Sequence, residues 1–276
     1  MLRAICVSLS VTLLLTPPAI AQDRDDEIDE LYQALGLPEI LAVMQEEGIS
    51  YGEELGQDML PGGADSDWRS AVAMIYDLEM MNEEVYGAFA ETIRDDDIDA
   101  MLEFFTSDRG QRIIALEVDA RRAMLDEDIE EASKEAAALQ AADETARFAA
   151  IRTFVETNDL IESNVVGALN SSYAFYMGLI DGGVMPPGVT ADTALQDVWA
   201  QEPDIRANTT EWVYGFLMLA YQPLSDADIA AYQSFSESEA GADLNDALFQ
   251  AFDGMFEDIS RGLGLAASRF MVSQEL

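Results

Sequence analysis

The 276 residues are half apolar and ordinary in Gly and Pro, enough to fold around one large core or two modest ones and too apolar to stay disordered. Fifty-four acidic against 14 basic residues leave a formal charge of −40, which turns away nucleic-acid phosphates and anionic lipid surfaces. There is no His, and the one Cys is Cys6, so a Ser-His-Asp triad and zinc or copper held by imidazole are excluded.

The first residues carry Arg3, an uncharged apolar stretch from Ala4 to Leu15, the pair Pro17-Pro18 and then Ala19-Ile20-Ala21. The apolar run is too short for a span of roughly 20 residues. Small residues at the two positions read by a signal peptidase predict a signal peptide over 1–21, cut after Ala21, with export to the periplasm or beyond. Cys6 lies ahead of that cut and is no lipoprotein acyl site. Loss of Arg3 takes the basic residues from 14 to 13 and the charge from −40 to −41, and the expected mature chain holds neither His nor Cys.

From Glu27 to Glu47 apolar residues fall at helical spacing (Ile28, Leu31, Tyr32, Leu35, then Ile40, Leu41, Met44), with Gly36 and Pro38 between two helices. Pro61-Gly62-Gly63 ends that segment, and Asp65 or Ser66 opens one long helix through Ala71, Ile75, Leu78, Val85 and Phe89. A short helix starts at Asp95. Another starts at Ser107, facing Ile113, Ile114, Val118, Met124 and Leu125 inward and running on through the Ala- and Glu-rich stretch to about 142. Further helices are predicted over 149–160 and 165–180, and from Pro203, with 212–221 apolar all round. Alternating β-branched runs are nearly absent, so the predicted class is all-α. The uncharged stretches 164–180 and 212–221 read as buried helices of a soluble core, too polar or too short to span a bilayer.

The chain also repeats itself. Sliding it by 131 residues pairs 95–126 with 226–257 without a gap, and nine of the 32 positions are identical, including Phe104/Phe235, Ser107/Ser238 and Gly110/Gly241. Upstream, 83–89 matches 211–217. Two related, packed helical halves follow, 22–140 and 141–276. In each copy the Phe (with Phe105 in the first) fills a core at the end of a short helix. The Ser caps the next helix, and the Gly implies that another helix passes close to its backbone.

Phe104-Phe105-Thr106-Ser107-Asp108-Arg109-Gly110-Gln111 resembles the hallmark of exported bacterial proteins known as the domain of unknown function number twenty fifty-nine. That hallmark is an aromatic pair, any residue, Ser-Pro, any residue, then Gly followed by Gln or Lys. Asp108 stands where Pro is usual, and 235–241 is a weaker second likeness that lacks the second aromatic and the Pro. The resemblance is clearest over 65–130 and fainter over 200–260. It implies a helical, exported protein in two divergent tandem copies and brings no catalytic residue, cofactor or metal.

Carboxylate chemistry survives the exclusions. Glu162-Ser163 faintly resembles the catalytic pair of goose-type lytic transglycosylases, without the residues that normally follow. The acidic runs 23–30, 94–99 and 126–131 are rich in oxygen ligands but lack the order of an EF-hand loop. Lys134, the only Lys, sits in an Ala/Glu helix, a poor setting for a Schiff base. Arg109, Arg112, Arg121 and Arg122 form the one basic cluster, either a docking patch for an anionic partner or a set of internal salt bridges. The expected function is non-catalytic binding of a protein in the periplasm or envelope, through a groove between helices. A carboxylate-dependent peptidoglycan hydrolase and a calcium-stabilised acidic protein are the alternatives.

Overall fold

The structure, a computed structural model, describes residues 19–60 and 62–273, and every regular element there is helical. The expected signal segment lies outside the described residues except for its last three, which begin the first helix. In chain order the helices are α1 (Ala19–Ala34), α2 (Leu37–Met59), α3 (Ser66–Ile75), α4 (Leu78–Thr92), α5 (Asp95–Phe105), α6 (Asp108–Ala123), α7 (Glu127–Ala142), α8 (Ala146–Thr157), α9 (Leu160–Asp181), α10 (Ala191–Trp199), α11 (Glu202–Ala220), α12 (Asp226–Ser236) and α13 (Glu239–Ser273).

Aspartates divide two of the expected long helices. Asp77 takes an extended backbone and its side chain accepts from Met80 N, so a new helix starts where one helix was predicted from Asp65 to Phe89. Asp126 does the same for Asp128 N, ending α6 early and leaving Leu125 exposed instead of facing inward. A short polar side chain that bonds the backbone at its own position outcompetes helix continuation there. The helix expected across the junction of the halves stops at Ala142, and Glu144 turns the chain left-handed (φ 49°) before α8. Thr145 N donating to Gln140 O closes that helix end. The helix predicted over 149–160 begins at Ala146, capped by Thr145, and ends at Thr157. Helix α10 was not predicted; a capping box of Thr190 and Thr193 starts it.

Two large cores form, each drawing on both halves of the chain, beside a small cluster of Val165, Leu169 and Val198. The larger joins Ile28, Leu41, Trp68, Val85, Phe89 and Phe105 to α13, whose Leu244, Ala247, Ala251, Met255, Ile259 and Leu263 recur at helical spacing on one face. The second gathers Ile113 and Ala137 with Ile151, Phe154, Val213, Leu217, Tyr221 and Ile229. With 35 residues, α13 extends about 52 Å at 1.5 Å per residue and ties the assembly together. It meets α9 backbone to backbone, since a Cβ added at Gly264 would lie 3.1 Å from Gly178 Cα. No helix among the described residues is long and apolar enough to cross a membrane.

Candidate functional site

The motif residues form two copies of one corner. Ser107 Oγ accepts from Gly110 N at 3.1 Å and donates to Phe104 O at 2.6 Å, and Ser238 repeats both bonds with Gly241 N and Phe235 O at the same lengths. A methyl on either glycine would overlap the carbonyl oxygen six residues earlier. At Gly110 it would also stand 2.6 Å from Phe105 Cα, and at Gly241 2.7 Å from Ser236 Cα. The close neighbour is thus the last turn of the preceding helix, held by the corner itself. Asp108 occupies the first helical position, where Pro is equally tolerated. Phe105 is 1% exposed, and Phe104 stacks on Tyr232 and Phe235 while Phe105 meets both edge-on. Nothing in this corner is poised for chemistry.

The four arginines point apart. Arg109 pairs with Asp228 of α12 at 2.9 Å, Arg112 donates to Pro223 O at 2.9 Å, and Arg121 grips Glu47 of α2 with Nε at 3.0 Å and Nη2 at 2.6 Å. Arg122 is exposed and makes no ion pair among the described residues. Two of the four therefore lash α6 to other helices, and Arg112 ties it to the turn between α11 and α12.

The other candidates are surface features. Glu162 is exposed and pairs with Arg206 at 2.7 Å. The runs at 94–99 and 126–131 supply the first turns of α5 and α7, where the helix dipole favours negative charge. Among the described residues no group of three or more acidic side chains is placed to hold a metal ion. Lys134 donates to Glu131 and also pairs with Glu130.

The feature missed from sequence is a cavity of about 570 Å³ between α6, α8, α9, α11, α12 and α13, with Met44 of α2 on its edge. Its walls are chiefly aromatic: Phe154, Trp212, Phe216, Tyr232, Phe249, Phe252 and Phe256. The Trp212 and Phe216 rings stack with centroids 5.2 Å apart. Arg121 lies with its guanidinium 5.2 Å from the Trp212 centroid, so the salt bridge to Glu47 fixes an aromatic wall at the rim.

Two carboxyls face this apolar space, Glu117 and Asp253. Tyr221 donates its hydroxyl to Glu117 Oε1 at 2.6 Å, and no described group donates to Oε2. Loss of solvent pushes the Glu117 carboxyl up to about 7, against the pull of the Tyr221 hydrogen bond. Desolvation also raises Asp253, with Glu257 beside it adding to the effect. The buried Tyr221 and the partly buried Tyr232 are held well above the usual phenol range by desolvation and by the Glu117 charge. A signal for the site did exist. Ile113, Glu117, Ala120 and Met124 share one face of α6, so Glu117 interrupts a core-facing stripe.

Residues 79–138, from the first turn of α4 to near the end of α7, match the model of a family described as an uncharacterized protein conserved in bacteria, DUF2059. The matched segment contains the 104–111 corner, Glu117 and all four clustered arginines. No curated protein and no solved structure matches the chain.

Proposed function

We propose that this is an exported, non-catalytic binding protein of the bacterial envelope that takes an apolar segment of a protein partner into the cavity between its helices. The observation carrying this reading is the cavity itself: its volume falls in the range of roughly 300–1,000 Å³ usual for ligand sites, and its walls are mostly hydrocarbon with a few convergent polar groups. Export rests on the sequence of 1–21. The further reading that the chain holds two divergent copies of the family unit is supported by α5 and α12, whose starts lie 131 residues apart, and by the matching corners after them.

A photo-crosslinking residue at Ser171, on the cavity wall, tests the binding reading in intact cells against the same residue at Met74, which is 68% exposed on α3. A discrete adduct from position 171 that disappears on Ala168→Trp, which fills the cavity, is expected. Equal adducts from both positions, or an adduct from 171 that survives the filling, would overturn it.

Glu117 favours a second reading, since a desolvated carboxyl raised to about 7 on a cavity wall is the pattern of a general acid. Wall cleavage in a peptidoglycan gel that vanishes in Glu117→Gln would establish the hydrolase; absence of cleavage by the folded wild type dismisses it.

A further inference from the structure

We infer that the segment bound in this cavity presents a positive charge, a Lys or Arg side chain set among apolar residues, whose cation is received by a carboxylate of the wall, Glu117 or Asp253, against the aromatic rings. This rests on the reading of the cavity as a binding site.

The charge inside the cavity is unbalanced. Arg121 is the only cation on its wall among the described residues, and it is already engaged: Glu47 takes two of its nitrogens and Trp212 its guanidinium face. What remains is negative. Glu117 Oε2 has no donor among the described residues, and Asp253 has neither a hydrogen bond nor an ion pair there. The other titratable lining groups, Tyr221 and Tyr232, stay neutral phenols, and Glu257 beside Asp253 adds a further negative charge. A neutral or anionic occupant would shut the Asp253 carboxylate, and the ionised fraction of Glu117, away from water without a counter-charge, which is costly. A basic side chain supplies that counter-charge, and the aromatic rings accept the cation's weakly hydrated flanks. The net charge of −40 draws such segments from a distance and repels acidic ones. The empty site holds Glu117 partly protonated near neutrality, so a bound cation displaces that proton.

Displacement of the neutral apolar dye N-phenyl-1-naphthylamine by three capped pentapeptides tests the charge. The peptides are Leu-Phe-Lys-Phe-Leu and its counterparts with norleucine or Glu at the centre. At pH 8 the Lys peptide should displace the dye at a concentration at least about tenfold below the norleucine peptide, and the Glu peptide should be weakest. The advantage should shrink as the pH falls to 5.5, and fall to about twofold or less in the Glu117→Gln, Asp253→Asn double variant, with displacement referred to each protein's own dye affinity. Calorimetry of the Lys peptide near pH 6.5, in buffers of different ionisation enthalpy, should show proton release. Equal potency of the Lys and norleucine peptides, or a stronger Glu peptide, would overturn the charge inference while dye binding keeps the cavity reading intact. Failure of the wild type to bind dye or peptide would overturn both.

Discussion

Phe104 and Phe235, which hold the same place in the two copies of the corner, stack on one another with centroids 4.6 Å apart and planes at 21°. Each ends its own short helix, so the contact joins α5 to α12 at equivalent positions. Offset aromatic pairs contribute about 0.5–1.5 kcal/mol beyond the area they bury. A double-mutant cycle on Phe104→Leu and Phe235→Leu in urea should return a coupling of that size. Strictly additive losses would mean that the rings merely share a core.

At the corners, Gly110→Ala and Gly241→Ala should destabilise by more than the ~1 kcal/mol that helix propensity offers in the other direction. The added methyl meets a backbone carbonyl that cannot move without opening the corner. Ser107→Ala and Ser238→Ala should each cost about 1 kcal/mol through the lost cap. Thermal midpoints of the four variants are the check, and a glycine variant that melts higher than wild type would refute the packing argument.

The Glu117 carboxyl is raised in the folded state, from an ordinary value of 4.5 to about 7. Its contribution to stability is therefore complete below pH 4.5 and is lost as the pH rises through 7. Asp228 runs oppositely: hydrogen bonds from Ser225 and Arg109 lower it to about 2, so its contribution is present above 3.8 and lost as the pH falls through 2. Glu117→Gln keeps an acceptor for Tyr221 and removes the titration. Urea midpoints measured from pH 4.5 to 8 should show the variant gaining steadily on wild type, with the gap level above pH 8. A gap independent of pH would place Glu117 in contact with bulk water.

Among the arginines, Arg121→Ser should cost the most, about 1–2 kcal/mol, because its pairing with Glu47 is two-pronged and it also covers Trp212. Arg109→Ser should cost at most about 1 kcal/mol, as exposed pairs do, and Arg122→Ser should lie within about 0.5 kcal/mol of wild type. Chemical denaturation orders the three; a large loss at Arg122 would contradict the contacts seen.

The bounds of α5 and the start of α6 could be read from Asp95, Phe104 and Ser107, because caps and apolar spacing are local signals. The helix starts at Leu78 and Glu127 were missed for a physical reason: Asp77 and Asp126 look like ordinary surface acids among 54 until their side chains are seen on backbone N–H groups. The cavity was hidden more deeply. Its walls come from residues as far apart as Met44 and Phe256, and long-range packing leaves no periodicity. Glu117 alone was detectable, as a carboxyl on the stripe of Ile113, Ala120 and Met124. Arg109, Arg112 and Arg121, close in sequence, reach different partners, since successive helical positions point in different directions.

The central claim is that the aromatic cavity binds apolar matter, and equilibrium titration with N-phenyl-1-naphthylamine tests it most directly. The wild type should show saturable, one-to-one binding with enhanced fluorescence. Ala168→Trp, with unchanged helical circular dichroism and melting temperature, should lose at least about 1.4 kcal/mol, a tenfold fall in affinity. Equal binding by the filled variant, or no saturable binding by the wild type, would contradict the account.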